Sequence, residues 1–271
     1  MAILDEHGDE AKVLAGDQSL IPLMNMRLAR PGVLVDINRL RLDGIKSNGG
    51  LTIGALTRQS AVLRSGDVSA YAPIIAAALR HVGHPGIRTR GTFGGSIAHA
   101  DPAAELPAVL LALDGEVVAR GPGGERTIPA EELFVTNFTT SLAPNEVLTS
   151  VRFPWSLDKA RWAFHEVARR HGDFALAGVA SAAEVEKGAT CKSARIALFA
   201  VADRPVRAKE AEEFLVGKQL DDAAVVEEAA RLACAGLEPQ SDFHATSQYR
   251  KEAAEALVRR ALTHMSTQGG R

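Results

Sequence analysis

Cysteine is scarce in this sequence. The 271 residues include two, Cys191 and Cys234, which lie far apart and outside any Cys-x-x-Cys motif. An iron–sulfur cluster normally requires four thiolate ligands, so these two residues cannot bind one by themselves. We expect both thiols to be reduced and buried, the usual state of isolated cysteines in a reducing compartment. Any iron–sulfur centre that works with this chain must therefore belong to a partner.

A strong net charge, a membrane-length apolar run and a secretory signal are missing as well. The formal net charge of −2 provides no general attraction to nucleic acid or to an anionic membrane surface. No apolar run is long enough to cross a bilayer, and the acidic start at residues 1–6 is unlike a signal peptide. We therefore expect a cytoplasmic protein that neither binds nucleic acid nor spans a membrane.

Several functional motifs are also absent. The sequence has no Gly-Lys-Ser/Thr of a Walker A loop and no Gly-x-Gly-x-x-Gly dinucleotide fingerprint. No Ser–His–Asp arrangement stands out either. His81, His84 and His99 lack the cysteine or further histidine that would complete a zinc pattern, so we predict no metal site.

A glycine-rich stretch at residues 89–102 is the most informative part of the chain. It contains Thr92, Gly94, Gly95 and Ser96 in what we predict to be a loop between two structured elements. Glycine lets the main chain come close to a ligand, and clustered backbone N–H groups bind anions. The stretch therefore predicts a phosphate-binding loop.

An earlier stretch has the same construction. Residues 12–15 predict a short strand, residues 16–19 a turn, residues 20–28 a helix with Ser19 as its N-cap, and residues 33–37 the next strand. The turn faces the start of a helix, where phosphate is favoured. Either stretch alone is a weak signal. Together they indicate a ligand with two phosphates, or one long ligand held at two places.

The rest of the chain predicts mixed secondary structure. Thr57 is expected to cap a short helix, and Pro102 and Pro107 to mark two helix starts. The last third predicts strands first and helices afterwards, an order that argues for a separate α+β domain. These strands are residues 162–168, 175–185 and 193–201, and the helices are residues 206–216, 223–235 and 246–264.

Several of these motifs together resemble the FAD-binding medium subunit of the molybdenum hydroxylases. The matching sequence motifs are AGDQSLIP at residues 15–22, LVDI at 34–37, TIGA at 52–55, TFGGSIA at 92–98, ADP at 100–102 and ELP at 105–107. That family includes aerobic carbon monoxide dehydrogenases, bacterial xanthine dehydrogenases and dehydrogenases of N-heterocycles. The resemblance spans nearly the whole chain, in order and with family-like spacing.

The resemblance implies an α+β protein with the FAD-binding PCMH-type fold. This fold has two α/β subdomains, expected here at residues 1–50 and 51–158, and a C-terminal domain at residues 159–271 with a three-stranded antiparallel sheet and a helix bundle. In the family, a strand and most of a helix usually precede the segment that matches residues 6–14. Two explanations stay open: a different start codon, or a shortened first subdomain.

The resemblance also implies which residues bind FAD. Those expected to hold the phosphates, the ribityl chain and the walls of the cleft are Ala15, Gly16, Asp17, Gln18, Ser19, Leu20, Leu34, Ile53, Gly54, Ala55, Thr92, Gly94, Gly95, Ser96, Ala100 and Asp101. Glu105 would accept a hydrogen bond from a ribityl hydroxyl. Phe164 and Asp173 would contact the isoalloxazine ring, although Phe164 is equally consistent with a core position.

Asp17 departs from the family pattern, which has glycine or another small residue there. A carboxylate that points at a pyrophosphate would repel it. Because aspartate tolerates left-handed backbone geometry better than most residues, we expect Asp17 to face outward and FAD still to bind.

By resemblance, the chain is an oxidoreductase subunit for electron transfer. A molybdenum cofactor in a large partner would oxidise the substrate, and two [2Fe–2S] clusters in a small partner would pass electrons to FAD in this chain. The expected assembly is a dimer of heterotrimers. The cofactors supply the chemistry, so we expect no catalytic acid or base here. Two alternatives stay open: a stand-alone flavin oxidoreductase, and a non-enzymatic module that has lost FAD.

Overall fold

The computed structural model describes residues 1–154, 160–186 and 188–268. Its α-helices are α1 (Ala2–His7), α2 (Leu20–Asn25), α3 (Gln59–Leu63), α4 (Gly66–Tyr71), α5 (Pro73–Leu79), α6 (Pro85–Arg90), α7 (Phe93–His99), α8 (Glu105–Ala112), α9 (Ala130–Leu133), α10 (Lys209–Leu215), α11 (Ala223–Cys234) and α12 (Ser247–Thr267). Its strands are β1 (Ala11–Leu14), β2 (Val33–Asp36), β3 (Ile45–Lys46), β4 (Leu51–Gly54), β5 (Glu116–Gly121), β6 (Gly124–Pro129), β7 (Phe134–Thr136), β8 (Thr139–Thr140), β9 (Val147–Phe153), β10 (Ala160–Ala168), β11 (Ala175–Val185), β12 (Cys191–Phe199) and β13 (Val206–Arg207).

The first layer is the predicted strand–turn–helix–strand unit. β1 and β2 pair in parallel, from Ala11 opposite Val33 to Leu14 opposite Asp36, and α2 connects them. Helix α2 ends at Asn25, earlier than predicted. Ser19 occupies the N-cap position, but its hydroxyl makes no capping hydrogen bond.

The second layer is a five-stranded antiparallel sheet in the order β3-β4-β9-β5-β6. Its apolar side packs against helices α5, α7 and α8 in a core that includes Ile53, Phe93 and Phe153. Strand β3 precedes residue 50 and already belongs to this sheet. The subdomain boundary at residue 50 stays a prediction.

Three local predictions in this layer were wrong. Arg58, not Thr57, is the N-cap of α3, because the Thr57 hydroxyl donates instead to the Gly44 carbonyl at 3.1 Å. Pro102 starts no helix, since α8 begins at Glu105. The glycine-rich stretch is not a loop: residues 93–99 form α7.

The C-terminal domain is an antiparallel sheet with helices on one face. The sheet order is β10-β11-β12-β13. Residues 206–207 were predicted to start a helix, but they form a fourth, two-residue strand paired with Ala197 and Leu198, and α10 begins at Lys209. Helices α10 and α12 pack on one side of this sheet, and α8 packs on β11 and β12.

Both cysteines lie in the core of this domain. Cys191 and Cys234 are free and buried, as predicted. Burial raises the pKa of the Cys191 thiol to about 11 and that of Cys234 to about 12, so both stay protonated at neutral pH. In the ranges that the structure describes, no helix combines the length and apolar character needed to cross a membrane.

A buried arginine connects the C-terminal sheet to the rest of the chain. Arg207 on β13 donates to Glu212 from Nε and Nη2, both at 2.6 Å, and from Nη1 to Asp114 Oδ1 at 2.7 Å. Asp114 follows the end of α8 and also pairs with Arg195. The Arg207 and Glu212 side chains are each 10% exposed, so this pair is largely shielded from solvent, whereas Asp114 is exposed.

We expect Arg207→Met to lower the free energy of unfolding by about 3 kcal/mol, because it leaves the buried Glu212 carboxylate without its charged partner. Urea denaturation followed by circular dichroism measures this loss. The matched control is Arg231→Met, which removes a pair with the exposed Glu228 and should leave the denaturation midpoint unchanged. If both variants lose the same free energy of unfolding, then the Arg207–Glu212 pair contributes no more to stability than an exposed ion pair, which would contradict this expectation.

Candidate functional site

The two predicted phosphate-binding stretches meet in the structure. A Cβ atom built on Gly16 would lie 2.8 Å from the carbonyl oxygen of Arg90 and from the nitrogen of Thr92. The backbone of the first turn therefore touches the backbone that enters the second stretch. Only glycine at position 16 permits this approach.

The TIGA motif at residues 52–55 lies against the second stretch. A Cβ on Gly94 would lie 2.6 Å from Ala55 Cβ, and the Gly94 N–H donates to the Ala55 carbonyl at 2.9 Å. Ile53 is fully buried between β3 and β9 and leaves no surface for a ligand. Leu34 on β2 is 40% exposed and can line a cleft with its side chain.

The first turn presents a row of open backbone donors. Within the described part of the chain, no acceptor pairs with the N–H groups of residues 16–20. Asp17 adopts a left-handed conformation, with φ of 57°. Successive N–H groups around a left-handed residue form a concave anion site. This turn is thus chemically suited to a phosphate.

The second stretch differs from the first in how its donors are used. The Gly94 N–H is bound by Ala55, and the Gly95 N–H donates to Thr92 Oγ1 at 3.1 Å, which caps α7. The sequence predicted two equivalent cradles, but these two N–H groups are already occupied. The half-buried Ser96 hydroxyl is the group that this stretch can offer to a ligand.

The Asp17 carboxylate is paired across the junction of the two stretches. Arg90 donates from Nε to Asp17 Oδ1 at 3.1 Å and from Nη2 to Oδ2. Gln18 Nε2 donates to the same carboxylate at 2.6 Å. The hydrogen bond from Arg90 holds the pKa of Asp17 below its usual value. Its negative charge is therefore offset beside the open donors.

Arg58 adds a second connection at this junction. It bonds to the Arg90 carbonyl through Nη1 and to Asn38 Oδ1 at 2.9 Å through Nη2. Asn38 in turn bonds to Asp36, at the end of β2. The first layer is thus held to the segment that leads into α7.

Two carboxyl groups lie beyond α7, of which Glu105 is buried and Asp101 is half-buried. Glu105 begins α8 and is 7% exposed, and burial raises its pKa to about 8. Burial also raises the pKa of Asp101, whose Oδ1 accepts the Ala103 N–H at 2.9 Å. Ala100, between the two helices, has a left-handed backbone with φ of 51°. At neutral pH most Glu105 carboxyls carry a proton and can donate as well as accept a hydrogen bond.

Phe164 and Asp173 lie in different surroundings. Phe164 is 7% exposed and packs on Phe199, with ring centroids 5.7 Å apart. Asp173 is exposed in the turn between β10 and β11. Gly172 brings this turn close to Gly83, since a Cβ there would lie 3.0 Å from the Gly83 carbonyl oxygen. The roles of Phe164 and Asp173 at a flavin ring stay predictions.

The histidines considered as metal ligands have other neighbours. His81 pairs with Glu166, and the ring of His99 lies 5.1 Å from that of Phe138. His84 lies beside Gly172. In residues 1–154, 160–186 and 188–268 no three His, Cys, Asp or Glu side chains are grouped so that they could hold a metal ion. The absence of a metal site stays a prediction.

Sequence reasoning missed the contacts of Arg58 and Arg90 at the junction and the pairing of Glu166 with His81. No local pattern marks the two arginines, because their partners lie in other elements. Glu166 could have been found, since it is two residues from Phe164 on a strand and therefore faces the same side of the sheet.

Two family models together cover nearly the whole chain. The FAD-binding domain in molybdopterin dehydrogenase matches residues 1–156. The carbon monoxide dehydrogenase flavoprotein C-terminal domain matches residues 162–265.

Curated and solved relatives match over the same length. The chain is 43% identical to the 6-hydroxypseudooxynicotine dehydrogenase complex subunit alpha of Paenarthrobacter nicotinovorans, over 97% of this chain and 89% of that protein. It superposes on a chain of carbon monoxide dehydrogenase from Hydrogenophaga pseudoflava with a TM-score of 0.94, at 38% identity, over 97% of this chain and 92% of that one. It also superposes on a chain of quinoline 2-oxidoreductase from Pseudomonas putida 86 with a TM-score of 0.91, at 37% identity. That match covers 98% of this chain and 92% of the other.

We expect Gly16→Ala to separate the two stretches, because its methyl group has no room between the backbones at residues 90–92. The full chain should lose about 2 kcal/mol of stability and most of its ability to retain added FAD. Thermal unfolding and flavin content after gel filtration measure the two effects. The control Gly86→Ala introduces a methyl group with no atom within 4 Å and should change neither. FAD retention by Gly16→Ala equal to that of the control would contradict the expectation.

Proposed function

Because the chain belongs to the family of FAD-binding medium subunits of molybdenum hydroxylases, we propose that it receives electrons from iron–sulfur clusters of a partner and passes them through FAD to an external acceptor. The chain is an oxidoreductase flavoprotein subunit with FAD as its cofactor. The direction and route of the electrons are the proposed part.

The row of open N–H groups at residues 16–20 is the observation that best supports FAD binding. A pyrophosphate carries two negative charges, and fixed backbone donors bind it without a mobile cation. In this proposal the turn holds the pyrophosphate, and Ser96 and Glu105 bind the ribityl hydroxyls. When bound, FAD supplies reversible electron transfer.

The charges around this turn fit an anionic ligand. Asp17 is neutralised by Arg90, and Glu105 keeps its proton near neutral pH. Neither carboxyl group therefore places a full unpaired negative charge beside the phosphates. The other positions named from the resemblance, including Leu20 and Leu34, complete the proposed cleft between the subdomains at residues 1–50 and 51–158.

The partners are part of the proposal. The two buried cysteines cannot hold an iron–sulfur cluster, so the clusters would reside in a small partner subunit. The names of the relatives, a medium chain and a complex subunit, denote parts of multi-subunit enzymes. We propose a large molybdenum-cofactor subunit as the second partner, in a dimer of heterotrimers located in the cytoplasm. Substrate choice would then be made in the large subunit.

The direct test is to purify the chain from its native host without removing its partners and to record an absorption spectrum. We expect FAD, iron–sulfur absorption and two further subunits. FAD on an isolated chain that turns over substrate without partners would favour the stand-alone enzyme instead. A colourless protein that takes up no added FAD would favour the module that has lost its cofactor.

We expect Arg90→Gln to weaken FAD binding about tenfold, because it leaves the Asp17 carboxylate unpaired beside the pyrophosphate. The double variant Asp17→Asn with Arg90→Gln should recover most of that affinity. Quenching of flavin fluorescence in a titration of the full chain measures both. If the double variant binds as weakly as Arg90→Gln, then Arg90 acts on the ligand directly and not through Asp17.

A further inference from the structure

Two phenylalanine rings project into solvent at one end of the C-terminal sheet. Phe174 lies in the turn between β10 and β11 and is 70% exposed, and Phe243 lies in the segment before α12 and is 89% exposed. Arg169 and Arg170 are exposed in the same turn as Phe174. Aromatic rings and arginine are both enriched at the energetic centres of protein interfaces, so this combination indicates an interaction surface.

The turn and the segment lie together in the structure. Arg169 donates from Nη1 to His244 Nδ1 at 3.1 Å, and His244 directly follows the second phenylalanine. Arg250 of α12 connects the two parts a second time, because it donates to Asp242 Oδ2 and to the Leu176 carbonyl, both at 2.8 Å. Residues 169–174 and 243–244 therefore form one surface, which we call the aromatic–basic surface.

The charge of the aromatic–basic surface is mainly positive. Among the residues that the structure describes, neither Arg169 nor Arg170 forms an ion pair with a carboxylate. Arg88 adds a cation next to the turn, since it donates to the Gly83 carbonyl at 2.9 Å, and a Cβ on the turn's glycine would lie 3.0 Å from that oxygen. Asp173 is the one acidic residue of the turn. This surface thus complements an acidic partner, although the whole chain has a net charge of −2.

The size and composition of the surface favour a transient partner over a permanent subunit. Permanent interfaces are large and mainly apolar, whereas brief electron-transfer contacts are small and use charge to guide the two proteins together. Here two rings stand among arginine and histidine side chains on one turn and one short segment. Asp173, which the family resemblance implies at the isoalloxazine ring, belongs to the same turn. A protein bound here would therefore lie on the flavin side of the chain.

We propose that the aromatic–basic surface docks the external electron acceptor, and that this acceptor is an acidic one-electron carrier protein. The two arginines attract its carboxylates, and the two phenylalanines provide the apolar contact. Two carriers, each reduced by one electron, reoxidise one reduced flavin, whose protons pass to water. This inference rests on the proposed function, since it names the class of acceptor for electrons that leave FAD.

The test uses cytochrome c as the carrier, in its native basic form and in a succinylated acidic form. Both forms contain the same haem, which accepts electrons at high potential, so they differ in surface charge. The full chain is loaded with FAD, reduced by light and mixed with each form in a stopped-flow instrument. We expect the acidic form to be reduced at least about tenfold faster at low salt, and this advantage to vanish as the ionic strength rises. Equal rates for the two forms at low salt would overturn the proposal.

The arginines are tested by the double variant Arg169→Gln with Arg170→Gln. We expect its affinity for the acidic cytochrome, measured by interferometry on the oxidised proteins, to fall about tenfold, while its FAD content and melting temperature stay unchanged. The matched control Arg64→Gln with Arg120→Gln removes the same charge from exposed arginines elsewhere and should bind like the wild type. Equal losses in the two double variants would show that net charge alone attracts the carrier, which contradicts a docking surface at this turn.

The rings are tested by Phe174→Ser with Phe243→Ser. This variant should bind the acidic cytochrome more weakly than the wild type even at high salt, where the attraction between charges is screened. Binding equal to that of the wild type would overturn the role of the rings.

The native complex provides the last comparison. We expect it to bind the acidic cytochrome as tightly as the full chain does. Binding to the chain but not to the complex would mean that a permanent subunit covers the surface, and the proposal would fail. A wild-type chain that takes up no FAD would refute the proposed function and this inference with it, whereas a chain that takes up FAD without preferring the acidic carrier would refute this inference alone.

Discussion

The contact between two backbones at Gly16 is the constraint on which the proposed site depends. The turn at residues 16–20 rests directly on the chain at residues 90–92, with no side chain between them. This contact places the open donors of the turn beside the start of α7. Gly94 repeats the arrangement one step further, against Ala55. The proposed cleft is therefore bordered by backbone surfaces in close contact at Gly16 and Gly94.

Electrostatics explains how a chain with several acids near this cleft can accept a dianionic ligand. Asp17 is paired with Arg90, and Glu105 is protonated because it is buried. Asp17 keeps its charge because it lies nearer the surface, where Arg90 pairs with it. Glu105 holds its proton because it lies in the interior. Glu166 is another buried acid, and its Oε1 lies 3.0 Å from Nδ1 of His81.

Local patterns predicted the elements that local forces determine. The unit from β1 to β2 and the long helix α12 follow from periodicity and turn residues, and the family resemblance gave the fold. The glycine-rich stretch was predicted to be a loop because its glycines let the main chain approach an anion, yet α7 forms there since Thr92 caps it and the Ala55 carbonyl accepts from the Gly94 N–H. Strand β13 and the partners of Arg90 depend on contacts between distant segments, which a single sequence does not display.

Helix α8 is buried along its whole length, with no residue facing water. Its side chains belong to one continuous core with Phe164, Phe199 and the alanines of β11, so the flavoprotein domain and the C-terminal domain share its surface. A hinge between the two halves would have to pull apolar side chains into solvent. The first turn of α8 also carries Glu105, and it therefore keeps a constant position relative to both halves. Motion between the two halves would therefore leave the surroundings of Glu105, one of the proposed FAD contacts, unchanged.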